Sequence, residues 1–216
     1  MKIDHIKPSD IEKESMRIIQ EELKEIGKEL SGEPAPIVMR VIHTTADFDY
    51  AENLYFSENV IDKALTVLER GAVIVTDTNM ARSGINRPAL LRHGCECICY
   101  MADSDIAETA KRNGTTRAAS SVDKAAEISK PVIYAVGNAP TALIRLCEHI
   151  KAGDFVPEVI IGAPVGFVNV VQSKEMLIES GVPCIVARGR KGGSNVAAAI
   201  CNALLYMLDN KKGQKK

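Results

Sequence analysis

The chain has 216 residues, a net charge of −1, and 46% hydrophobic and 25% charged residues, the balance of an ordinary globular protein able to bury a sizeable core. That balance gives no reason to expect a nucleic acid or a membrane surface as a partner. No run approaches the roughly 18 apolar residues of a membrane span, and Met1 to Lys7 lack the apolar core of a secretory signal, so a cytoplasmic location is expected.

Ser9 followed by Glu12 reads as a capping box opening a helix to about Leu30, with Ile11, Ile18, Ile19, Leu23, Ile26 and Leu30 in one stripe. Arg17 falls nearly opposite that stripe and is expected to be solvated unless the helix edges a cleft or a second subunit. Residues 32–36 link to the apolar, β-branched run Ile37 to Ile42, which reads as a buried strand ending in a polar loop from His43 to Asp49. Arg40 interrupts the run. On a strand Arg40 and His43 point to opposite faces, and only a bend after it lets both border one cavity. Histidine titrates near neutrality, so His43 at a strand end is a natural proton donor or acceptor; the alternative is a histidine satisfied by a carboxylate such as Asp47.

Ser57 is expected to cap a helix with Val60, Ile61, Ala64, Leu65 and Leu68 inward, ended by Gly71. Residues 72–76 form a strand, 77–84 a polar loop, and a short helix from Pro88 ends at His93, which suits the helix C-terminus. A strand over 94–101 carries Cys95, Cys97 and Cys99 on one face. With Cys147, Cys184 and Cys201 they are expected to be reduced and buried, because no metal-ligand spacing completes a set. Asp103 or Ser104 opens the next helix, and residues 113–117 turn into another that ends near Ser129. Strands follow at 131–136, 156–161 and 183–187. Their loops run over 137–141, 162–166 and 188–195, and their helices over 142–151, 167–180 and 196–208. Residues 211–216 read as a frayed basic tail after a domain over 1–210.

Short apolar strands alternating with helices predict one α/β domain, a three-layer α/β/α sandwich whose doubly wound sheet is mainly parallel, with a helical N-terminal extension. Ligands of such sheets sit outside the carboxyl ends of the strands. The loops expected there are rich in Gly, Asn, Thr and Arg. Glycines let backbone N–H groups approach a ligand, and Arg82, Arg117, Arg188, Arg190 and Lys191 suit carboxylates, so the implied ligand is an anion with several acidic groups. Turn geometry alone accounts for about half of the glycines. Neither Gly-x-Gly-x-x-Gly nor a phosphate loop ending in Gly-Lys-Ser/Thr is present.

The segments Val41 to Phe48, Thr76 to Met80, Gly137 to Leu143, Gly162 to Val168 and Gly189 to Ser194 resemble, in order and across essentially the whole chain, those of the precorrin-8X methylmutase family, including its cobalt-precorrin-8 branch. The resemblance implies an α/β homodimeric isomerase of cobalamin biosynthesis that moves a methyl group between adjacent carbons of ring C in a contracted tetrapyrrole. It gives hydrogenobyrinate or its cobalt counterpart. The catalytic histidine maps onto His43, and Arg17 and Arg40 onto substrate-binding positions. Thr44, Arg82, Arg117, Asn138, Thr141, Lys191, Gly192, Gly193 and Ser194 are added as substrate contacts. No protein-bound metal or cofactor is implied, since any cobalt travels in the macrocycle. Substrate carboxylates would favour imidazolium at His43, and Arg40 would oppose it. Two other classes fit the residues: a non-catalytic tetrapyrrole carrier and, weakened by the missing phosphate motifs, a nucleotide- or phosphosugar-binding enzyme.

Overall fold

Six strands and eleven α-helices follow one another along residues 6–213, the part of the chain that the structure, a computed structural model, describes. The strands are Leu54–Phe56 (β1), Val73–Thr76 (β2), Glu96–Ile98 (β3), Val132–Val136 (β4), Val159–Gly162 (β5) and Cys184–Ala187 (β6). They lie side by side in the order β1-β6-β5-β4-β2-β3, all parallel except β1, which pairs antiparallel with β6 in the register Leu54 to Ala187. After β3 the chain returns to the other side of β2 to make β4. The strand order therefore reverses between β2 and β4, the place where a crevice opens in such sheets.

The helices are Ile11–Glu25 (α1), Ala35–Thr45 (α2), Tyr50–Asn53 (α3), Val60–Glu69 (α4), Asn79–Gly84 (α5), Arg87–Arg92 (α6), Ser104–Arg112 (α7), Arg117–Ala125 (α8), Pro140–Ala152 (α9), Val170–Glu179 (α10) and Ser194–Gly213 (α11). Alternation of side chains along the strands sorts two cores. Ile74, Ile133, Ile161 and Ile185 face a layer built from α2, α4 and α11. Val75, Tyr134, Ile160 and Val186 face α8, α9 and α10. The expected α/β/α sandwich is present, with α1 and α2 as the N-terminal extension packed on the α11 side.

The largest departure from expectation is residues 37–42, which are helix and not strand. Pro34 and Pro36 sit where a helix start loses nothing by lacking an N–H. From there Ile37, Val38, Val41 and Ile42 recur at helical spacing, are all buried, and pack against α11. That burial outweighs the small preference of β-branched residues for strands. The composition of this run points to a strand, whereas the four-residue spacing of its buried side chains decides its shape.

Other boundaries move for local reasons. Helix α1 stops at Glu25, because Gly27 takes a left-handed φ of 72°, and the Ser9/Glu12 box is replaced by a 3-10 turn over Pro8–Asp10. Ser57 does not cap α4; its hydroxyl accepts from the Cys184 N–H at 2.8 Å and ties the edge strand to β6. The supposed loop after β2 contains α5, capped by Thr78. Helix α8 ends at Ala125, α9 starts at Pro140 and α10 only at Val170. Helix α11 continues through Lys211 and Lys212 to Gly213, so that part of the basic tail is helical; residues 1–5 and 214–216 lie outside the described residues. His93 stands at the C-terminus of α6, with Nε2 2.8 Å from Asp209 of α11. His149, in the last turn of α9, lies between Asp123 at 2.9 Å and Asp154 at 2.7 Å. The six cysteines are free thiols.

The two readings of residues 37–44 differ in measurable stability. Residues 42 and 44 would share a face on a strand, whereas in α2 Ile42 is wholly buried and Thr44 exposed. Ile42→Ala should cost about 2–5 kcal/mol in urea unfolding and Thr44→Ala no more than about 0.5 kcal/mol.

Candidate functional site

Helix α2 presents its polar face where α1 crosses it. Arg40, His43 and Thr44 are three and four residues apart, so the helix puts on one side what a strand would have divided. The His43 ring is half-buried, and its Nδ1 lies 2.7 Å from Ser15 Oγ of α1. Arg40 donates to Glu12 at 2.6 Å, and its guanidinium carbon stands 5.0 Å from the Tyr206 ring centre. Thr44 spends its hydroxyl on the Arg40 carbonyl at 2.9 Å. The result is a half-buried histidine with one nitrogen engaged by a hydroxyl, and no hydrogen bond to its other nitrogen among the described residues, beside an arginine held by one carboxylate and one aromatic face.

At the carboxyl ends of the strands Asp77 organises the loops. Its side chain is almost wholly buried and accepts from the backbone N–H groups of Gly137 at 2.8 Å, Asn138 at 2.8 Å and Ala139 at 2.7 Å. Burial pushes this carboxyl up from its ordinary value, and the three donors pull the other way. The backbone N–H groups of the loop that leads into α9 are thus already engaged by the protein's own carboxylate. Gly137 lies so close to the next loop that a Cβ there would come within 2.6 Å of Ser194 Cα. Ser194 Oγ in turn meets Thr78 Oγ1 at 2.7 Å. A Cβ on Gly192 would collide with the Ala163 and Pro164 carbonyls, and Gly193 has φ 133° and donates to Ala163 O at 2.8 Å. Gly137, Gly192 and Gly193 therefore serve loop-on-loop packing.

The cations divide into two sets. Lys191 bonds Asp47 and Asp49, both at 2.6 Å, and so pins the 188–193 loop to the turn after α2, four residues beyond His43. Its ammonium is pushed up, and Asp47 is held below the usual carboxylate range by the same contact. Arg188 is forked on Glu175. Among the described residues Arg82, Arg117 and Arg190 have no acidic partner and are exposed. Arg117 opens α8 beside Thr116, whose hydroxyl meets Thr141 at 3.0 Å, and the Asn138 side chain is exposed at the same rim. Arg17 is not brought to His43: it lies across α1 from Ser15 and pairs with Glu14 and Glu21.

Three residues that shape this site escaped the sequence. Ser15 gives no local signal, because only the crossing of α1 and α2 brings it to His43. Asp77 follows a strand like many loop aspartates. Lys174 is the least expected, a wholly buried lysine in α10 that donates to Gly189 O and Lys191 O, both at 2.8 Å, and so holds the cationic loop from beneath. Burial lowers its ammonium to about 8.

The family model described as Precorrin-8X methylmutase matches residues 10–207. The chain is 45% identical over 205 residues to the cobalt-precorrin-8 methylmutase of Salmonella typhimurium, covering 93% of this chain and 96% of that one. It is 38% identical over 180 residues to the precorrin-8X methylmutase of Pseudomonas aeruginosa, covering 81% and 86%. Among solved structures, the precorrin-8X methyl mutase of Thermus thermophilus superposes with a TM-score of 0.83 at 36% identity, over 94% of this chain and 98% of that one.

The burial of Lys174 fixes the sign of a pH effect. The folded protein releases this proton near pH 8 and the unfolded chain near 10.5, so between those values the unfolded state binds more protons and folding gains as pH rises. Urea unfolding followed from about pH 7.5 to about pH 10.5 should show the wild type gaining stability relative to Lys174→Met. Parallel profiles would remove the buried ammonium as the cause.

Proposed function

The chain belongs to the precorrin-8X methylmutase family and is an isomerase of cobalamin biosynthesis, and we propose that it moves a methyl group between adjacent ring C carbons of precorrin-8X or cobalt-precorrin-8, with His43 as the acid. The product is hydrogenobyrinate or, for the cobalt form, cobyrinate. The names of the Salmonella typhimurium and Priestia megaterium relatives, at 45% and 41% identity, favour the cobalt form. The metal then arrives in the macrocycle as part of the substrate.

The observation that carries this reading is the His43 ring: one nitrogen is engaged by Ser15, and the ring lies on the polar face of α2 next to Arg40. A proton given to the macrocycle near ring C makes the migration terminus electron-poor. The carbon–methyl bond then breaks at one ring carbon as it forms at its neighbour. Overall the reaction is an isomerisation, so His43 recovers its proton from product or water before the next turnover. Such a role asks for placement more than for covalent chemistry, and Ser15 supplies the placement by fixing the ring. The peripheral acetates and propionates of the substrate match the cations at the rim, Arg40 nearest the histidine, Arg82 in α5, Arg117 at the start of α8 and Arg190 in the 188–193 loop, with Asn138 and Thr141 as neutral donors.

A homodimer in the cytoplasm completes the reading. Helix α1 buries Ile19 and Leu23, but Ile11, Ile18 and the capping residue Ile26 are between 41% and 54% exposed, an apolar stripe suited to a second copy. Arg17 lies on the same helix nearly opposite that stripe, and it would serve a substrate only across a two-fold axis, in the partner's site.

Absorption spectra followed over time with precorrin-8X, with and without cobalt, test the chemistry directly, because methyl migration changes the conjugated path. The wild type should turn over at least one form, and His43→Ala should be slower by about 10²–10⁴-fold. Corrinoid binding with no spectral change on either form would leave a carrier and refute the mutase. Arg17→Glu should weaken substrate binding, and undiminished affinity would remove Arg17 from the site.

A further inference from the structure

The loop between β5 and α10 carries three apolar side chains in four residues, all turned outward: Val165 is 47% exposed, Phe167 79% and Val168 78%. The loop is nevertheless fixed. Ala163 and Pro164 are buried beneath it, the Gly166 N–H donates to Arg190 O at 3.1 Å, and the Gly193 N–H donates to Ala163 O at 2.8 Å. Phe167 is therefore presented on a rigid support at the carboxyl end of the sheet, where it buries little and stabilises little. The Arg190 guanidinium carbon lies 5.3 Å from its ring centre, and among the described residues that guanidinium has no acidic partner. The next residue, Lys191, is bonded to Asp47 and Asp49, so the apolar tip belongs to the same rim as the turn after His43, with the rim's own carboxylates neutralised.

An aromatic ring backed by an unpaired arginine calls for a ligand that offers an apolar surface and an anionic group within one side-chain length of each other. We propose that Phe167 and Val168 pack against the methyl-bearing rim of the bound corrinoid while Arg190 takes one of its carboxylates. This contact rests on the corrinoid reading above and adds to it a second anchor, away from the histidine, that sets how the macrocycle lies.

The test is a binding titration of the full chain with cobyrinic acid and with hydrogenobyrinic acid, followed by corrinoid absorption. Phe167→Ser/Val168→Ser should raise the dissociation constant roughly tenfold to a hundredfold, the loss expected when large apolar side chains leave an interface. Val156→Ser, which removes a 52% exposed apolar residue ahead of β5 at the other end of the sheet, should leave affinity unchanged. Wild-type affinity in the double variant overturns the proposal while leaving the corrinoid reading intact. A double variant that sediments differently from the wild type would make the loop a contact between copies, which also overturns it. Failure of the wild type to bind either corrinoid overturns both readings.

Discussion

The carboxylate of Asp77 is the constraint on which the rim depends. It stands where the strand order reverses, and its two oxygens receive three successive backbone N–H groups from the loop that leads into α9. A buried carboxylate is costly unless every lone pair is used, and here the chain arranges its own donors around it. The consequence reaches the next loop: with residues 137–139 drawn onto Asp77, Gly137 lies against Ser194 without room for a Cβ, and Ser194 closes back on Thr78. Four loops become one surface. The same arrangement engages the backbone N–H groups just ahead of α9 with the protein's own carboxylate.

The cationic side chains are sorted by their partners. Lys174, Lys191 and Arg188 are engaged with carbonyls or carboxylates of the protein, and they hold the 188–193 loop from beneath, from the α2 side and from α10. Arg82, Arg117 and Arg190 remain without acidic partners among the described residues. The first set stiffens the loop, and the second, free of acidic partners among the described residues, is the set proposed to meet the substrate. A polyanionic substrate needs both, because a cation on a loose loop loses in ordering entropy part of what it gains in attraction.

Much of this was legible in the sequence. The alternation of short apolar runs with helical segments fixes a doubly wound sheet, and the segments after β4, β5 and β6 are placed at strand ends by position alone, whereas the His43 segment follows no strand and much of 77–84 is helix. The antiparallel β1 was not legible: three residues, Leu54 to Phe56, carry no pattern, and the strand exists through its pairing with β6. Nor was the role of the glycines, since a close approach to backbone and a close approach to a ligand leave the same letter in the chain. Lys174 is illegible for a similar reason. A lysine in an amphipathic helix reads as solvent-facing, and only the loop folded over it supplies the two carbonyls that make its burial tolerable.

The misread segment carries the functional argument. As a strand, residues 37–43 would have sent Arg40 and His43 to opposite faces, and their cooperation would have needed a bend. As a helix the same residues bury Ile37, Val38, Val41 and Ile42 on α11 and turn Arg40, His43 and Thr44 together toward α1. The apolar half of α2 sets the orientation of its polar half, and α1 brings Ser15 to the imidazole and Glu12 to the guanidinium. The proposed proton donor is thus positioned by two helices outside the sheet, and the proposed carboxylate-binding rim by the strand-end segments that belong to it. Lys191 joins the two through Asp47 and Asp49, so a substrate reaching from one to the other meets a single rigid body.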